Sequence, residues 1–310
     1  MTEQSSIQGL LDDSETYEPA SLQVMSLENF LNYKFPKREF LLSPIISSQS
    51  LSMVFAKTGV GKTFFALSVA YAISSGGSFL GWSAPKPRKV LYLDGEMAAH
   101  VMQERLRKIS SLSDKQVPPG YFQLITPDMQ KMGMSDISTK EGQDTLEPQI
   151  KDAEFIVIDN ISTLVRTGKE NEAQDWLLVQ GWILNLRSRG KSVLLVHHAG
   201  KNGNQRGTSR REDVLDLVIS LERPSDHKPN EGARFKINFT KARHFSGDQS
   251  VESFEAHLSD EGWKTNASID QQKELLLDLY GQGKSLREIQ QETGISKSKI
   301  QRVLADRSAS

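Results

Sequence analysis

The chain has 310 residues, of which 37% are hydrophobic and 25% are charged, as expected of a soluble globular protein with one large domain or with one large and one small domain. It contains no cysteine, which excludes disulfides, thiolate zinc sites and thiol nucleophiles. The formal net charge of −1 gives no global case for nucleic-acid binding, so any DNA contact must come from local patches of charge.

Three absences predict a cytoplasmic location without a membrane partner. No apolar run approaches the length of a membrane span. Residues 1–6 lack the basic-then-apolar pattern of a secretory signal. The lack of cysteine agrees with a reducing compartment.

The first 24 residues are polar and acidic. Residues 1–24 are therefore expected to be a disordered tail, since they offer little apolar surface to bury. Two stretches that contain large apolar residues follow, at residues 27–31 and 40–46, and are expected to pack as a lead-in beside the next motif.

Residues 56–63 read AKTGVGKT, between an apolar run at residues 51–55 and a helix-like run at residues 64–73. A strand, a glycine-bearing loop ending in Gly-Lys-Thr and a helix are the context of a phosphate-binding loop. Backbone N–H groups of the loop and of the helix N-terminus can surround phosphate oxygens. Ala56 stands where the usual pattern has its first glycine, and its small side chain still permits the loop. Nucleotide contacts are predicted for Thr58, Gly59, Val60, Gly61, Lys62 and Thr63.

The predicted first helix stops at the Ser-Gly-Gly of residues 75–77, where a left-handed cap is expected. Residues 90–94 form a short continuous apolar run, as expected of a strand covered on both faces. A charged helix is predicted at residues 100–110 and a weaker strand at residues 122–125. The polar segment 126–144 is predicted to be a surface loop, as is the stretch 82–87.

Residues 155–159 are the clearest buried strand in the sequence. A polar loop at residues 166–172 leads to a helix predicted at residues 175–189, and another buried strand follows at residues 192–197. The helix carries large apolar residues at helical spacing, which predicts that it packs on the core: Trp176, Val179, Trp182, Ile183 and Leu186. After a basic loop, three partly antiparallel strands are predicted at residues 214–221, 235–239 and 250–257. Together these elements predict an α/β fold with a mostly parallel central sheet and a β extension.

The chain then changes character. Residues 258–268 are polar and are predicted to be a linker, and residues 269–310 carry three short helix patterns, at 270–280, 285–293 and 296–305. Ser285 and Glu288 fit a capping box, and residues 293–296 fit a tight turn. Lys297, Lys299 and Arg302 lie on the third helix, which would enter the DNA major groove in a helix-turn-helix. A generic three-helix protein-binding module is the alternative.

Hydrolysis needs acidic groups besides the phosphate loop. Asp159 ends its strand at the edge where open α/β sheets place ligands, and is the natural Mg²⁺ carboxylate; a turn-forming Asp is the alternative. Asn160 follows it, so the adjacent Asp and Glu of AAA+ ATPases are missing and a base must come from elsewhere. Glu96, just past another strand, is the best candidate; a Glu that merely favours a helix N-terminus is the alternative.

His197 and His198 end the strand at residues 192–197. Adjacent strand residues point to opposite faces, which argues against a shared metal, and without cysteine a zinc site is rejected. One of the two could sit near the γ-phosphate as a sensor of its loss. The alternative is a histidine satisfied at a strand end, and the residues alone do not choose between the two rings.

Cations follow two of the predicted strands. They can bind nucleic-acid phosphate or reach a neighbouring subunit's γ-phosphate, and a merely solvated loop is the alternative. The loop of residues 201–211 carries Lys201, Arg206, Arg210 and Arg211, and the end of a later strand carries Lys241 and Arg243.

Five stretches together resemble the RepA-type branch of RecA-fold ATPases, relatives of the DnaB and KaiC groups, over about residues 25–257. They are residues 56–63, 91–96, 155–160, 196–201 and 205–209. That family includes ring-forming, usually hexameric, plasmid replicative helicases and ATPases of mobile elements. The resemblance implies ATP and Mg²⁺ as ligands, with Lys62 and Thr63 at phosphate and metal, Asp159 at the metal, Glu96 as base and His198 as sensor. It also implies a trans-acting cation, either Arg206 or the Lys-x-Arg pair of Lys241 and Arg243.

Residues 269–305 resemble the helix-turn-helix of resolvase-type DNA-binding domains, which a minimal RepA helicase does not need. The sequence therefore predicts a DNA-dependent, ring-forming ATPase, such as a replicative helicase of a plasmid or mobile element. An ATP-gated DNA-binding regulator or recombination accessory protein is the second reading, and a metabolic kinase is disfavoured because no acceptor-substrate lid is recognisable.

Overall fold

A computed structural model describes residues 22–166, 172–200, 212–228, 231–243, 253–265 and 275–293, together with residues 295, 297, 300, 301 and 304, and leaves the side chains of residues 172–175 undescribed. The chain divides into two compact units, Met1–Lys37 and Arg38–Ser310. In the first unit, the described helix is α1 (Leu27–Asn32), which begins after Ser26 because the Ser26 side chain accepts a hydrogen bond from the Asn29 backbone N–H.

The second unit contains the remaining described elements. Its strands are β1 (Phe40–Leu42), β2 (Ile46–Ser47), β3 (Leu51–Ala56), β4 (Ser78–Phe79), β5 (Trp82–Ser83), β6 (Val90–Asp94), β7 (Phe122–Ile125), β8 (Phe155–Asp159), β9 (Ser192–His198), β10 (Leu217–Glu222), β11 (Arg234–Ala242), β12 (Phe254–Ser259) and β13 (Gly262–Thr265). Its helices are α2 (Lys62–Ser75), α3 (Ala99–Ser111), α4 (Lys140–Ile150), α5 (Ile161–Leu164), α6 (Glu172–Ser188) and α7 (Leu286–Thr293), with a 3₁₀ turn at Pro127–Met129.

Within the described residues, one sheet has nine strands in the order β13-β12-β11-β10-β3-β9-β8-β6-β7. The six strands from β10 to β7 are parallel to one another. Strands β11, β12 and β13 extend the sheet by antiparallel pairing. The predicted α/β class with a mostly parallel sheet and a β extension is therefore confirmed.

Strand β8 shows why the central strands are continuously apolar. Phe155 and Val157 point into a core cluster that also contains residues of α2 and α3. Ile156 and Ile158 point into a second cluster, on the opposite face, with residues of α4, α5 and α6. Since successive strand residues face opposite sides, helices on both faces require apolar residues at every position. The five apolar residues predicted to pack α6 on the core all belong to the second cluster.

Parallel strands bring their carboxyl ends to one edge of the sheet. In the register of the sheet, Ala56 of β3 lies beside His198 of β9, and Asp94 of β6 lies beside Asp159 of β8. Polar groups that are far apart in the sequence thus gather at this edge, where open α/β sheets bind ligands.

The predicted linker at residues 258–268 is wrong over the part that the structure describes. Residues up to Ser259 continue β12, and β13 pairs with β12 at the end of the sheet. The indole N–H of Trp263 donates to the Ser68 hydroxyl on α2 at 3.1 Å. The polar composition predicts a linker here, although the segment is a hairpin, because only one face of this terminal hairpin is buried and alternate positions can be polar.

The predicted surface loop at residues 126–144 is also wrong in part. Ile137 is fully buried, and α4 begins at Lys140. Thr139 starts this helix, because its side chain accepts a hydrogen bond from the backbone N–H of Gly142. The short hairpins β1–β2 and β4–β5 were not predicted, and β5 begins inside the predicted loop at residues 82–87. By contrast, α2 ends as predicted, at Gly76 in the left-handed region with φ 67°.

Near the C-terminus, residues 275–281 are helical and α7 follows. Leu276, Leu279, Ile289 and Ile300 form a buried cluster separate from the two sheet cores. The predicted capping box is present: the Glu288 carboxylate accepts a hydrogen bond from the Ser285 N–H at 2.8 Å. Lys297 is exposed and helical, whereas Lys299 and Arg302 lie outside the described residues.

Among the described residues, no helix combines the length and the apolar character needed to cross a membrane.

Candidate functional site

The loop between β3 and α2 opens a cleft of about 440 Å³ at the carboxyl edge of the sheet. Gly59 and Gly61 adopt φ values of 78° and 123°, which side chains other than glycine rarely accept. A Cβ on Gly61 would also lie 3.1 Å from the ring of Phe235, which in turn packs on Trp263 with ring centroids 5.3 Å apart. All six predicted nucleotide-binding residues line the cleft: Thr58, Gly59, Val60, Gly61, Lys62 and Thr63.

The Lys62 ammonium lies within this loop and is largely buried. Its Nζ donates to the carbonyls of Ala56 and Lys57, at 3.0 and 3.2 Å. Burial lowers the pKa of Lys62, while the charges of Asp159 and Glu96 act in the opposite direction. The loop therefore holds a cation at the floor of the cleft, where a phosphate anion would relieve its poor solvation.

Thr63 and Asp159 meet in the same cleft as Lys62. The Thr63 side chain hydrogen-bonds Asp159, and the Tyr92 hydroxyl donates to Asp159 Oδ2 at 2.6 Å. Burial raises the pKa of Asp159, against the lowering effect of these two hydrogen bonds. Tyr92 is completely buried in β6 and holds the Asp159 carboxylate through its hydrogen bond. Sequence reasoning missed Tyr92, because nothing in an apolar strand distinguishes a tyrosine that orients an acid from one that only packs.

Asp94 closes the turn that presents Glu96. Its Oδ1 accepts hydrogen bonds from the backbone N–H groups of Glu96 and Met97, both at 3.2 Å, and its Oδ2 accepts one from the Thr126 hydroxyl at 3.1 Å. Burial raises the pKa of Asp94, whereas the backbone hydrogen bonds lower it. Asp94 is 2% exposed and already has several donors, so we assign it to shaping the turn.

Glu96 and Asn160 are joined across the cleft. The Asn160 side-chain amide donates to Glu96 Oε2 at 2.7 Å, while its Oδ1 accepts from the Thr163 backbone N–H at 3.2 Å and so caps α5. Asn160 is 3% exposed, and the Glu96 side chain is 60% exposed and open to the cleft. From the sequence alone, Asn160 only excludes the adjacent Asp and Glu of AAA+ ATPases. In the fold it also orients the candidate base.

The structure brings His198, rather than His197, to the cleft. His198 Nδ1 lies 3.2 Å from Lys62 Nζ and 3.5 Å from Thr58 Oγ1, and its Nε2 lies 3.9 Å from Glu96 Oε2. An ammonium can only donate, so the Lys62 contact makes Nδ1 the acceptor. His197 is 3% exposed and faces the opposite side of β9. His198 thus connects the phosphate-loop lysine with the candidate base.

Two further arginines lie at the cleft and were not identified from the sequence. Arg105 of α3 lines it, and Arg223, just after β10, donates to the Gly59 carbonyl at 2.6 Å. Gly232 and Ala233 also line the cleft. No short motif marks either arginine, since each reaches the site through tertiary packing.

Lys241 and Arg243 do not line the cleft. Both hold the turn after the basic loop: Lys241 Nζ donates to the Glu212 carbonyl, and Arg243 donates to the Asp213 carbonyl at 2.7 Å. In the sheet register, Lys241 lies beside Val218 at the start of β10, and Val218 beside Met53 near the start of β3. These cations therefore sit at the amino edge of the sheet, away from their own phosphate loop. The other predicted loop cations, Lys201, Arg206, Arg210 and Arg211, lie outside the described residues.

The donor set fits a hydrated divalent ion held jointly with a phosphate. Thr63 and Asp159 supply one hydroxyl and one carboxylate, and Mg²⁺ commonly takes one or two protein oxygens with phosphate and water. Among the described residues, no group of three or more His, Asp or Glu could hold a metal alone. The arrangement is suited to holding a magnesium–nucleotide complex.

Comparisons with known proteins identify a domain family and a fold. A family model described as "AAA domain" matches residues 17–204. A search of curated proteins finds no match. One similar solved structure is a KaiC-like protein from Pyrococcus horikoshii OT3, with 14% identity, a TM-score of 0.50 and coverage of 73% of this chain and 93% of that chain. Another is the flagellar accessory protein FlaH from Methanocaldococcus jannaschii, with 12% identity, a TM-score of 0.51 and coverage of 71% and 90%. These likenesses show a RecA-like α/β fold.

Proposed function

The chain belongs to the AAA domain family, whose model matches more than half of it, and from this premise we propose that it is a DNA-dependent, self-assembling ATPase that works as a helicase. The family and the RecA-like fold make it a P-loop ATPase. The observation that carries the hydrolytic proposal is the convergence of Lys62, Asp159, Glu96 and His198 on one cleft.

The residues of the cleft have different roles in the proposed transfer of the γ-phosphoryl group to water. The loop amides and Lys62 bind the phosphate chain. Thr63 and Asp159 would hold Mg²⁺, which when bound neutralises phosphate charge. Glu96 accepts a proton from the attacking water and is oriented for this by Asn160. His198, in contact with both Lys62 and Glu96, is placed to respond when the γ-phosphate leaves.

Self-assembly is proposed because candidate cations lie away from their own cleft. Lys241 and Arg243 sit at the amino edge of the sheet, where they hold a turn and lie away from their own phosphate loop, and we propose that they serve a neighbour's nucleotide. Arg206 is the third candidate and comes from the sequence resemblance. Mixing Arg206→Ala with Lys62→Ala should restore some ATPase if Arg206 acts in trans, because mixed interfaces pair an intact cleft with an intact finger. The same mixing with Lys241→Ala and Arg243→Ala identifies the residue, and no recovery with any of the three at any ratio would count against a trans cation.

DNA is the proposed partner because the sequence clusters basic residues in two stretches. Lys201, Arg210 and Arg211 follow β9 in the sequence, and Lys297, Lys299 and Arg302 belong to the C-terminal helical region. Exposed Lys and Arg side chains bind nucleic-acid phosphates with a strong dependence on salt. We therefore expect ATP hydrolysis to be stimulated by DNA and the stimulation to fall steeply as salt rises.

The separate C-terminal cluster favours a second candidate, an ATP-gated DNA-binding regulator or recombination accessory protein. Leu276, Leu279, Ile289 and Ile300 give this region a core of its own, as a module that finds a DNA site would need. A strand-displacement assay separates the two functions. Unwinding supports the helicase; DNA-stimulated hydrolysis without unwinding, with sequence-specific duplex binding that is lost on removal of residues 269–310, supports the regulator. If the purified chain hydrolyses no Mg-ATP with or without DNA, the helicase is refuted; if it also binds no duplex DNA in the presence of ATP, the regulator is refuted as well.

A further inference from the structure

Arg105 and Phe64 form a pair at the cleft. Phe64 directly follows Thr63 in α2, and Arg105 lies on α3, so two different helices supply the two side chains. The Arg105 Cζ lies 4.6 Å from the centroid of the Phe64 ring, within the range of a cation–π interaction. Both residues line the same cleft as the phosphate loop.

The surroundings of Arg105 keep its guanidinium charged, and the described residues leave its N–H groups available. Burial lowers the pKa of Arg105, whereas the nearby acidic groups of Tyr92, Asp159 and Asp94 favour the charged form. No hydrogen bond or ion pair joins it to another residue in the described part of the chain. A guanidinium has five N–H donors, so a partly buried one that has no acceptor among the described residues is suited to receive an anion.

The way Arg105 is held matters for that anion. A carboxylate partner would occupy the N–H groups and would repel a phosphate. An aromatic ring instead attracts the guanidinium without taking up the N–H groups along its edge as a carboxylate would. Phosphate oxygens accept bidentate hydrogen bonds from that edge.

We propose that Phe64 is a positioning residue, whose ring holds the Arg105 guanidinium in the cleft so that its N–H edge donates to the phosphate oxygens of bound nucleotide. The inference rests on the proposed ATPase function and adds a dependence of hydrolysis on an aromatic ring that touches no reacting atom. Any aromatic residue at position 64 should support it, and an aliphatic residue of similar size should not.

The test measures kcat and KM for Mg-ATP in Phe64→Leu, Phe64→Tyr, Arg105→Gln and the double variant Phe64→Leu/Arg105→Gln. Phe64→Leu should lower kcat/KM by about 3- to 30-fold, the range of a partly desolvated cation–π contact, and Phe64→Tyr should stay within about twofold of the wild type. In the Arg105→Gln background, Phe64→Leu should have almost no further effect, because the ring then has no cation to hold. Phe40→Leu, in β1 and outside the cleft, is the matched control and should leave both constants unchanged.

Three results would overturn the inference. One is a Phe64→Leu variant as active as the wild type. Another is an equal loss from Phe64→Leu with and without Arg105, which would mean that the ring acts only through packing. The third is a Phe64→Tyr variant that is folded by circular dichroism yet as impaired as Phe64→Leu. In each case the wild type still hydrolyses ATP, so the outcome is distinct from failure of the proposed function, in which the wild type itself is inactive.

Discussion

Replacing Asn160 with serine separates the two hydrogen bonds that this side chain makes. Serine is as good as asparagine at starting a helix, so the hydroxyl can still accept from the Thr163 N–H and cap α5. It is too short to reach Glu96, which loses the 2.7 Å hydrogen bond from the Asn160 amide. The change therefore removes the orientation of the candidate base and keeps the local fold.

The expected magnitude follows from the environment of this hydrogen bond. A hydrogen bond to a charged group contributes about 1.5–3 kcal/mol. The Glu96 side chain is 60% exposed, so water can partly replace the lost donor and the lower end applies. About 1.5 kcal/mol corresponds to roughly a tenfold loss in kcat. ATP affinity should not change, because Asn160 does not bind the phosphate chain in the proposed mechanism.

Steady-state hydrolysis of Mg-ATP, equilibrium binding of a nonhydrolysable ATP analogue and thermal unfolding test this reasoning together. We expect kcat to fall by about tenfold at constant analogue affinity, with a Tm change below about 4 °C, which corresponds to about 1 kcal/mol for a domain of this size. Asn160→Ala is the comparison and should lose about 1 kcal/mol more stability, since it also removes the cap. A kcat within twofold of the wild type in a folded Asn160→Ser variant would show that the amide does not orient Glu96.

Three other predictions concern Glu96, Asp159 and two glycines. Glu96→Gln should retain ATP binding and lower turnover by about 10²- to 10⁴-fold, and near-normal turnover would refute its role as base. Asp159→Asn should abolish Mg²⁺-dependent hydrolysis yet raise the Tm of the ligand-free protein at neutral pH. The direction of the Tm change follows from the pKa of Asp159, which is higher in the folded state than in the unfolded state. Between these two pKa values the folded state binds more protons, so the stability of the wild type falls as the pH rises through that range. The Tm advantage of the Asn variant should therefore shrink as pH is lowered toward the usual range of an aspartate, and an advantage that is constant with pH would contradict the account. Gly142→Ala would place a Cβ 1.9 Å from the Asp136 carbonyl oxygen and should lower the free energy of unfolding by about 1–3 kcal/mol or more. Gly181→Ala has open space around an exposed position in α6 and should raise the free energy of unfolding by about 0.4–1 kcal/mol. Denaturant unfolding of both variants measures the two changes.

The central strands and the main site residues could be predicted from the sequence because each depends on local information. The parallel strands are continuous apolar runs, and the rule that ligands bind at their carboxyl edge places Lys62, Asp159 and Glu96 together. The choice of His198 over His197 needed the resemblance, since alternation in a strand separates the two rings without telling which face carries the cleft.

Other parts of the site depend on distances that the sequence does not encode locally. Asn160 hydrogen-bonds Glu96, which is 64 residues away in the sequence. Arg105 of α3 contacts the ring of Phe64 of α2. The wrong predictions have the same origin. Polar composition predicts a surface loop before α4, where a single threonine cap starts the helix. It also predicts a linker at residues 258–268, where a one-sided hairpin ends the sheet.

The hairpin of β12 and β13 also determines where the chain can be shortened. Trp263 packs on Phe235, and Phe235 lies beneath Gly61 of the phosphate loop. A chain cut at residue 257 would keep every residue of the nucleotide cleft, yet it would lose Trp263 and expose the aromatic ring that supports the loop. Such a protein would bind ATP poorly for a reason unrelated to DNA. A truncation meant to isolate the ATPase must therefore retain Thr265, so that a loss of DNA binding can be attributed to the helical region beyond it.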